Sequence, residues 1–216
     1  MKYKFIKINQ NKMESPPRSP KWKTQYEYQL ALLKKLLENK ERLRFDKGWV
    51  NASEVGSQLY CERKVDLGYI HGTIKTEEMI AGTEGHETIV EDYVKVGFEE
   101  IWKDIYLKPR FLLGECMFIA QYKDILLVGK PDQIFFINGD PRLVLEFKFS
   151  NYIRPFPSQI IQAQTYSFIL HNIGFNTSSL YYAIIICSPD MIQKKKELPT
   201  IPWIFLLLEY SGRFFS

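Results

Sequence analysis

Residues 143–149 alternate between apolar and charged side chains, a pattern typical of a β-strand whose two faces meet different surroundings. The odd-numbered positions are all apolar, whereas Glu146 and Lys148 occupy even-numbered positions, with Val144 the exception. A second apolar segment, residues 132–137, comes just before it, and Asn138-Gly-Asp140 separates the two. The pattern therefore predicts two adjacent strands joined as a β-hairpin.

The length of the connecting loop decides which side chains share a face of this hairpin. Asp132 lies on the same face as Glu146 only if the loop has an odd number of residues, such as 138–140 or 138–142. A two-residue turn at Asn138-Gly139 is the most common connection for this dipeptide, and it would put the two carboxylates on opposite faces. A site that uses both carboxylates therefore predicts an odd-length loop.

Asp132, Glu146 and Lys148 on one face would suit the hydrolysis of a phosphodiester bond. Two carboxylates bind a hard cation such as Mg²⁺, which polarises a phosphate and lowers the pKa of a bound water. A lysine two residues after the glutamate can stabilise the negative charge that develops. An exposed strand with alternating charges is the alternative, and it is the better explanation for Glu-x-Lys by itself. For Pro-Asp followed 14 residues later by Glu-x-Lys, the two explanations are about equal.

The hydrophobic pattern of the whole chain predicts helices and strands in alternation. The predicted helices cover residues 24–45, 51–67, 76–96 and 158–171. The predicted strands lie near residues 98–107, 111–120, 125–128, 132–137, 143–149, 179–187 and 203–210. Together these elements predict an α/β or α+β fold, a central mixed sheet flanked by helices, with a helical N-terminal part.

Several local signals set the boundaries. Residues 9–21 are rich in proline and serine and predict a loop. Asn51 followed by Glu54 has the spacing of a capping box, and Thr76 is a candidate helix cap. We interpret residues 1–50 as a basic helical extension and residues 51–216 as the main domain.

Charge and cysteine content narrow the class of protein. Residues 1–48 carry 13 Lys and Arg against 5 Asp and Glu, an excess that suits a polyanion such as nucleic acid but also a solvated helix face. The N-terminus lacks the apolar core of a signal peptide, and the apolar runs are too short to span a bilayer. Three widely spaced cysteines favour free thiols in a reducing compartment. We expect a cytoplasmic protein without membrane association.

Four segments of the chain, taken in order, carry a resemblance to a known family. They are Tyr60-Cys-Glu-Arg-Lys-Val-Asp-Leu67, Gly82-Thr-Glu-Gly-His86, Gly129-Lys-Pro-Asp132 with Glu146-Phe-Lys148, and Gln162-Ala-Gln-Thr-Tyr166. Their order and spacing resemble the RecB-type branch of the PD-(D/E)XK nucleases, most closely the CRISPR-associated RecB-like exonucleases. The resemblance implies a restriction-endonuclease-like core and covers residues 60–166.

The resemblance also implies the chemistry of the site. Lys148, Glu146 and Asp132 would be the catalytic residues. The ligands of Mg²⁺ or Mn²⁺ would be His86, Asp132, Glu146 and the backbone carbonyl of Phe147. For His86 taken alone, a surface or capping histidine is the simpler interpretation.

Four further residues would contact the substrate by the same resemblance. Gln162 and Tyr166, one helical turn apart, would position the lysine or the DNA backbone, although ordinary helix packing is the better explanation for these two residues taken alone. Arg63 and Lys64 would contact phosphate, and an exposed helix face explains them equally well.

The cysteines depart from the pattern of many relatives. Those relatives bind an iron–sulfur cluster through four cysteines, one in the first segment and three near the C-terminus. Here Cys61 stands at the first position and only Cys187 follows the catalytic strands. We therefore expect no iron–sulfur cluster.

The resulting functional hypothesis is a metal-dependent deoxyribonuclease that acts on single-stranded DNA or DNA ends. Its setting would be DNA repair, recombination, virus replication or CRISPR adaptation, with DNA and other DNA-processing or CRISPR adaptation proteins as partners. The alternative is a catalytically weak DNA-binding or assembly module on a nuclease fold that acts with partner proteins. No RNA-reading motif supports an RNA-directed enzyme.

Overall fold

A computed structural model describes residues 2–6, 21–38, 43–73, 75–90, 93–150 and 154–187. The predicted strand at 203–210 and most of the predicted loop at 9–21 lie outside these residues. None of the helices in these ranges is both long enough and apolar enough to cross a membrane.

The described residues form an α+β fold. The α-helices are α1 (Lys21–Glu38), α2 (Ala52–Tyr60), α3 (Glu62–His71), α4 (Glu77–Val90), α5 (Phe98–Leu107) and α6 (Pro157–Asn172). The strands are β1 (Lys2–Ile6), β2 (Val50–Asn51), β3 (Val94–Gly97), β4 (Arg110–Gly114), β5 (Phe118–Tyr122), β6 (Ile125–Gly129), β7 (Gln133–Ile137), β8 (Asp140–Phe149) and β9 (Tyr181–Cys187).

Two mixed sheets organise these strands. The larger sheet has the order β3-β1-β4-β7-β8-β9, in which β9 runs parallel to β8 and the other pairs are antiparallel. The smaller sheet has the order β2-β6-β5, with β2 parallel and β5 antiparallel to β6. Helices flank the sheets, as the sequence predicts.

Helix α1 is joined to the smaller sheet through one buried side chain. Gln29 is only 1% exposed. Its amide donates to the carbonyl of Ile119 at 2.7 Å and its oxygen accepts from the N–H of Ile119 at 2.9 Å. The side chain thus takes the place of a neighbouring strand along the free edge of β5. The prediction of an extension over residues 1–50 stays a prediction, but α1 itself packs against the sheet.

The aromatic core lies between the larger sheet and helices α5 and α6. Trp102 of α5 is fully buried and stacks on Phe175, which follows α6, with ring centroids 5.8 Å apart. Phe118 and Phe136, from one strand of each sheet, are also buried and pack around Phe175. This core holds α6 in place over the sheet.

The prediction of a strand over 98–107 is wrong. The segment forms α5, and Ile101, Trp102 and Ile105 are its fully buried residues. Its apolar and aromatic composition is typical of a strand, but the spacing of the buried residues is that of a helix face. In this segment the spacing of the apolar residues indicates the helix correctly, whereas the residue types wrongly indicate a strand.

The predicted helices at the N-terminal side differ from the observed ones at their ends. Helix α1 starts at Lys21, before residue 24, and the chain near residue 45 forms a 3₁₀ turn, in which Phe45 has a φ of 62°. The Phe45 ring stacks on Tyr69 with centroids 5.0 Å apart, so a distant contact fixes this turn. The predicted helix at 51–67 is broken at Cys61, whose backbone is extended.

The predicted helix at 76–96 also ends too late. Thr76 caps it as expected, because its hydroxyl accepts from the N–H of Met79 at 3.3 Å. The helix is described to Val90, however, and Val94–Gly97 forms β3, which pairs with β1. The partner strand is about ninety residues away in the sequence, so no local pattern indicates it.

The remaining predictions in the second half of the chain are largely confirmed. The structure has strands over 125–129, 133–137, 140–149 and 181–187 and a helix over 157–172. The predicted strand at 111–120 is two strands, β4 and β5, separated at Glu115–Met117. Glu115 has a positive φ of 50°, which interrupts the extended backbone.

Candidate active site

The hairpin between β7 and β8 contradicts the prediction of an odd-length loop. Its connection is the two-residue turn Asn138-Gly139, and both residues have positive φ, 52° and 85°. This is the turn geometry that asparagine and glycine favour. By itself it would place Asp132 and Glu146 on opposite faces.

A β-bulge in β8 restores the alignment that the turn would prevent. Phe136 pairs with Pro141, but Phe135 pairs with Leu143, so Arg142 is an extra residue without a partner in β7. The extra residue shifts the side chains of β8 by one position relative to β7. Asp132 and Glu146 therefore line the same cavity, as the functional hypothesis requires.

The cavity has a volume of about 310 Å³ and lies between the hairpin and three helices. His86 of α4, Asp132 and Glu146 line it, as do Gln162 and Tyr166 of α6. All five were expected in the site from the sequence. Arg63 and Lys64 are exposed on α3 and are not among the described residues that line the cavity.

Asp132 connects the cavity to two neighbours through its two carboxylate oxygens. Oδ2 accepts from the backbone N–H of Phe147 at 2.7 Å, and Oδ1 lies 3.3 Å from Nδ1 of His86. Burial lowers the pKa of His86, but the hydrogen bond and the charge of Asp132 outweigh burial and raise this pKa overall. The imidazole edge also contacts the Phe149 ring, with centroids 5.7 Å apart.

Glu146 is the most deeply buried charged group of the site, with 3% of its surface exposed. Its Oε1 accepts from Nζ of Lys148 and from Nε2 of Gln162, each at 2.7 Å. Its Oε2 is buried and has no hydrogen-bond partner among the residues that the structure describes. Burial, and next the charge of Asp132, raise the pKa of Glu146 to about 7, while Lys148 acts in the opposite direction.

Helix α6 supports Glu146 through a chain of hydrogen bonds. The amide of Gln162 donates to Glu146 and also to the hydroxyl of Tyr166 at 2.7 Å. That hydroxyl in turn lies 3.4 Å from the carbonyl of Lys130. Tyr166 is buried, and burial raises the pKa of its phenol above the usual range, so it stays neutral. This chain fixes the orientation of the buried carboxylate.

The cavity contains the types of donor atom, oxygen and nitrogen, that bind divalent cations. Asp132 and Glu146 supply oxygen, His86 supplies an imidazole nitrogen, and the bare Oε2 of Glu146 needs a positive partner. In the ranges that the structure describes, however, no three His, Cys, Asp or Glu side chains converge closely enough to hold an ion. Lys148 and Gln162 both contact Oε1 of Glu146, which leaves Oε2 as the oxygen open to a cation.

Other wall residues were not expected from the sequence. Glu115 and Lys130 line the cavity, and so does the start of α2, residues 51–53. Lys130 directly precedes Pro131-Asp132 in the sequence, and this position could have indicated that Lys130 lies near the site. Glu115 and α2 reach the cavity only through the folding of distant segments, so no spacing in the sequence indicates them.

None of the three cysteines is among the described residues that line the cavity. Cys61 is exposed at the junction of α2 and α3, whereas Cys116 and Cys187 are buried, and all three are free thiols. Burial raises the pKa of Cys187 to about 12, so this thiol stays protonated and unreactive. The expectation of no iron–sulfur cluster stays a prediction.

Comparisons with known proteins do not establish a family. No protein-family model matches the chain, and no curated protein matches it at a significant level. A solved structure described as the crystal structure of SSO0001 is similar, with 16% sequence identity and a TM-score of 0.38. The match covers 76% of this chain and 73% of that chain. A similarity at this level carries no functional conclusion, so the site itself has to support the function.

Proposed function

We propose that this chain is a divalent-metal-dependent deoxyribonuclease that hydrolyses phosphodiester bonds in single-stranded DNA or at DNA ends. One observation carries the proposal: a buried glutamate, Glu146, shares a cavity with Asp132, and one of its oxygens has no partner within the described part of the chain. A buried, unpaired carboxylate oxygen is costly for a protein, and such groups are concentrated in functional sites.

The cation would be held by Asp132, Glu146, His86 and the backbone carbonyl of Phe147. When bound, it supplies charge neutralisation at the phosphate and lowers the pKa of a coordinated water. Mg²⁺ and Mn²⁺ both suit a site rich in carboxylate oxygen. The assignment of Phe147 rests on the resemblance of the sequence motifs to PD-(D/E)XK nucleases.

Lys148 would act on the substrate side of the same site. Its ammonium group is held 2.7 Å from Oε1 of Glu146, although Lys148 is not itself among the described residues that line the cavity. Beside Glu146 it would lie close to the negative charge that develops during hydrolysis. From there it can orient the attacking water or stabilise the leaving group. Gln162 acts through Glu146, because it fixes the carboxylate with a 2.7 Å hydrogen bond and does not itself need to touch the phosphate.

The choice of DNA rests on the resemblance, and so does the proposed setting in repair, recombination, virus replication or CRISPR adaptation. The described residues that line the cavity do not distinguish the backbone of DNA from that of another polynucleotide. Arg63 and Lys64 are separate from the cavity walls, so a role for them requires a strand that extends across α3. Lys64 lies over the Tyr60 ring at 5.9 Å, an arrangement also found on ordinary exposed helices.

One observation favours the second candidate function, a DNA-binding or assembly module with little catalysis. In the described ranges the ligand side chains do not converge, and Lys148 neutralises Glu146 without a metal. A buried ion pair of this kind can serve structure alone. The two functions differ in whether the protein needs a metal and whether it cuts DNA.

Cleavage of end-labelled single-stranded and double-stranded DNA separates them. The assay would use Mn²⁺ or Mg²⁺, an EDTA control and the Lys148→Ala variant, with Lys103→Ala as a matched control because Lys103 pairs with Glu99 on α5. The nuclease proposal expects cleavage that requires metal, is lost in Lys148→Ala and persists in Lys103→Ala. DNA binding without any cleavage by the wild-type protein would support the assembly module instead.

A further inference from the structure

An ion pair between Glu115 and Lys130 forms part of the cavity wall. Nζ of Lys130 lies 3.4 Å from Oε2 of Glu115. The Lys130 side chain is 56% exposed, whereas that of Glu115 is 24% exposed. Both residues line the same cavity as Asp132 and Glu146. The pair therefore stands where solvent and substrate would enter the site.

The backbone of Glu115 is held in an unfavourable conformation. Its φ of 50° lies in the left-handed region, which residues with a side chain seldom adopt. Its N–H donates to the carbonyl of Asp132 at 3.0 Å, so the strain is maintained by a bond to the residue that carries a site carboxylate. Strained residues of this kind are concentrated in functional sites. The direction of the Glu115 side chain is thus fixed relative to Asp132.

Lys130 combines a backbone that contacts Tyr166 with an exposed side-chain end. It lies two residues before Asp132, and its carbonyl is 3.4 Å from the Tyr166 hydroxyl. Its long side chain is more than half exposed, and an ion pair of such exposure is weak because water and salt screen it. The ammonium group can therefore exchange Glu115 for another anion at small cost.

The described residues of the cavity walls include three carboxylates but one lysine. Asp132, Glu146 and Glu115 bring three carboxylates to the walls. Lys148 is already engaged with Glu146 at 2.7 Å. A polynucleotide brings one phosphate to be cleaved and further phosphates on each side of it, and carboxylates repel them.

We propose that Lys130 binds the polynucleotide phosphate next to the one that is cleaved, and that Glu115 holds the lysine over the cavity until the substrate replaces it. The inference rests on the proposed function, because it assumes a polynucleotide in the cavity. Lys130 is a binding residue and Glu115 is a positioning residue, which acts only through Lys130. Substrate phosphate and Glu115 compete for the same ammonium group.

The test measures binding of a short fluorescent single-stranded oligodeoxynucleotide by anisotropy, in EDTA and again with Ca²⁺, over a series of salt concentrations. Lys130→Ala should raise Kd by about 3–10-fold and reduce the salt dependence by about one phosphate contact. Glu115→Gln should lower Kd by a few-fold, because it frees the lysine. Lys103→Ala, which also breaks an exposed lysine–glutamate pair but on α5, should leave the salt dependence unchanged.

A double variant distinguishes the proposed competition from a general charge effect. If Glu115 acts through Lys130, Glu115→Gln should have little effect on Kd when Lys130 is already alanine. An equal gain in both backgrounds would overturn the positioning role, because it would reflect only the loss of a negative charge. Equal binding by the wild-type protein and Lys130→Ala would overturn the phosphate site, even if Lys130→Ala melts at a lower temperature than the wild-type protein.

Failure of this inference differs from failure of the nuclease proposal. Cleavage by the same wild-type preparation is measured in Mn²⁺. Cleavage together with unchanged binding in Lys130→Ala rejects only the phosphate site. Binding that depends on Lys130 without any cleavage rejects only the nuclease. A wild-type protein that neither binds the oligonucleotide in either condition nor cleaves it in Mn²⁺ overturns both.

Discussion

The backbone N–H of Phe147 donates a 2.7 Å hydrogen bond to Oδ2 of Asp132. This bond joins the start of β7 to the strand that carries Glu146 and Lys148, beyond the last residues that pair within the hairpin, Gln133 and Leu145. It leaves Oδ1 directed at His86. The relationship explains how two carboxylates that repel each other are kept in one cavity.

Asp132→Asn should remove activity while preserving the fold. The asparagine oxygen can still accept from Phe147, but the charge needed for a cation is lost. We expect the cleavage rate to fall by about 100-fold or more, the scale of losing one preorganised group. Cleavage assays and circular dichroism on the same sample measure the two effects, and a variant that keeps its activity would exclude Asp132 from the site.

The same variant should change stability in a pH-dependent way in metal-free buffer. Burial and Asp132 raise the pKa of Glu146 to about 7, so the folded state loses stability as the pH rises between the unfolded and the folded pKa of this group. The neutral asparagine side chain relieves part of that loss. Asp132 also raises the pKa of His86, so at low pH the variant loses a favourable pair.

Both effects have the same sign. The Tm of Asp132→Asn minus the Tm of the wild-type protein should increase from about pH 5 to about pH 8, so the variant gains stability relative to the wild type as the pH rises. Thermal melting in EDTA at several pH values measures it. A difference that is constant or falls with pH would show that the Asp132 charge does not act on Glu146 and His86 as the distances indicate.

Gln162→Leu should reduce cleavage without unfolding the protein. The leucine keeps the bulk of the side chain but cannot donate to Oε1 of Glu146 or to the Tyr166 hydroxyl. The expected loss is about 10–100-fold in rate, typical of residues that orient a ligand or catalytic group. Tyr166→Phe, which removes only the more distant hydroxyl, should have a smaller effect. The opposite ranking in a cleavage assay would contradict the proposed chain of hydrogen bonds.

Gly56→Ala should destabilise the protein because α2 and α6 approach closely at this residue. A Cβ at Gly56 would lie 2.2 Å from the carbonyl oxygen of Ser158, a backbone atom that cannot move alone. We expect a loss of about 1–3 kcal/mol in the free energy of unfolding. Gly68→Ala is the matched control, since its nearest neighbour would be Thr73 at 3.9 Å. In a helix this substitution should stabilise by about 0.5–1 kcal/mol. Chemical denaturation of both variants measures the two changes in the free energy of unfolding, which should have opposite signs.

Gln29→Leu tests whether α1 is an integral part of the fold. The variant leaves the N–H and the carbonyl of Ile119 without their buried partner. The expected cost is about 2–4 kcal/mol in the free energy of unfolding. Lys34→Ala on the exposed side of the same helix should cost less than about 0.5 kcal/mol. Equal, small effects in urea denaturation would mean that α1 is only loosely attached.

The sequence predicted the elements around the site better than the contacts between them. The alternation around Glu146 and the spacing of Gln162 and Tyr166 are local patterns, and both lie in elements of the predicted type. The bulge at Arg142 could not be predicted, because a one-residue shift in pairing leaves no mark on a single strand. Asp132 and Glu146 lie on the same side of the hairpin as expected, but the bulge in β8 aligns them and not an odd-length loop.

Contacts over long sequence separations explain the remaining errors. The helix α5 is the exception, because the helical spacing of Ile101, Trp102 and Ile105 was present in the sequence and was outweighed by the strand-like composition of the segment. Glu115 reaches the cavity through a backbone bond to Asp132, and β3 exists because β1 pairs with it. Each of these depends on which segments meet, which residue types and periodicity alone do not determine.

The most direct test of the account measures Mn²⁺ binding by calorimetry alongside DNA cleavage in the wild-type protein, Glu146→Gln and Lys148→Ala. The wild-type protein should bind Mn²⁺ and cleave, and Glu146→Gln should do neither. Lys148→Ala should bind Mn²⁺ at least as tightly, because the competing ammonium beside Glu146 is gone, and yet fail to cleave. Mn²⁺ binding that is unchanged in Glu146→Gln, or cleavage that persists in both variants, would contradict a metal-dependent nuclease site at this cavity.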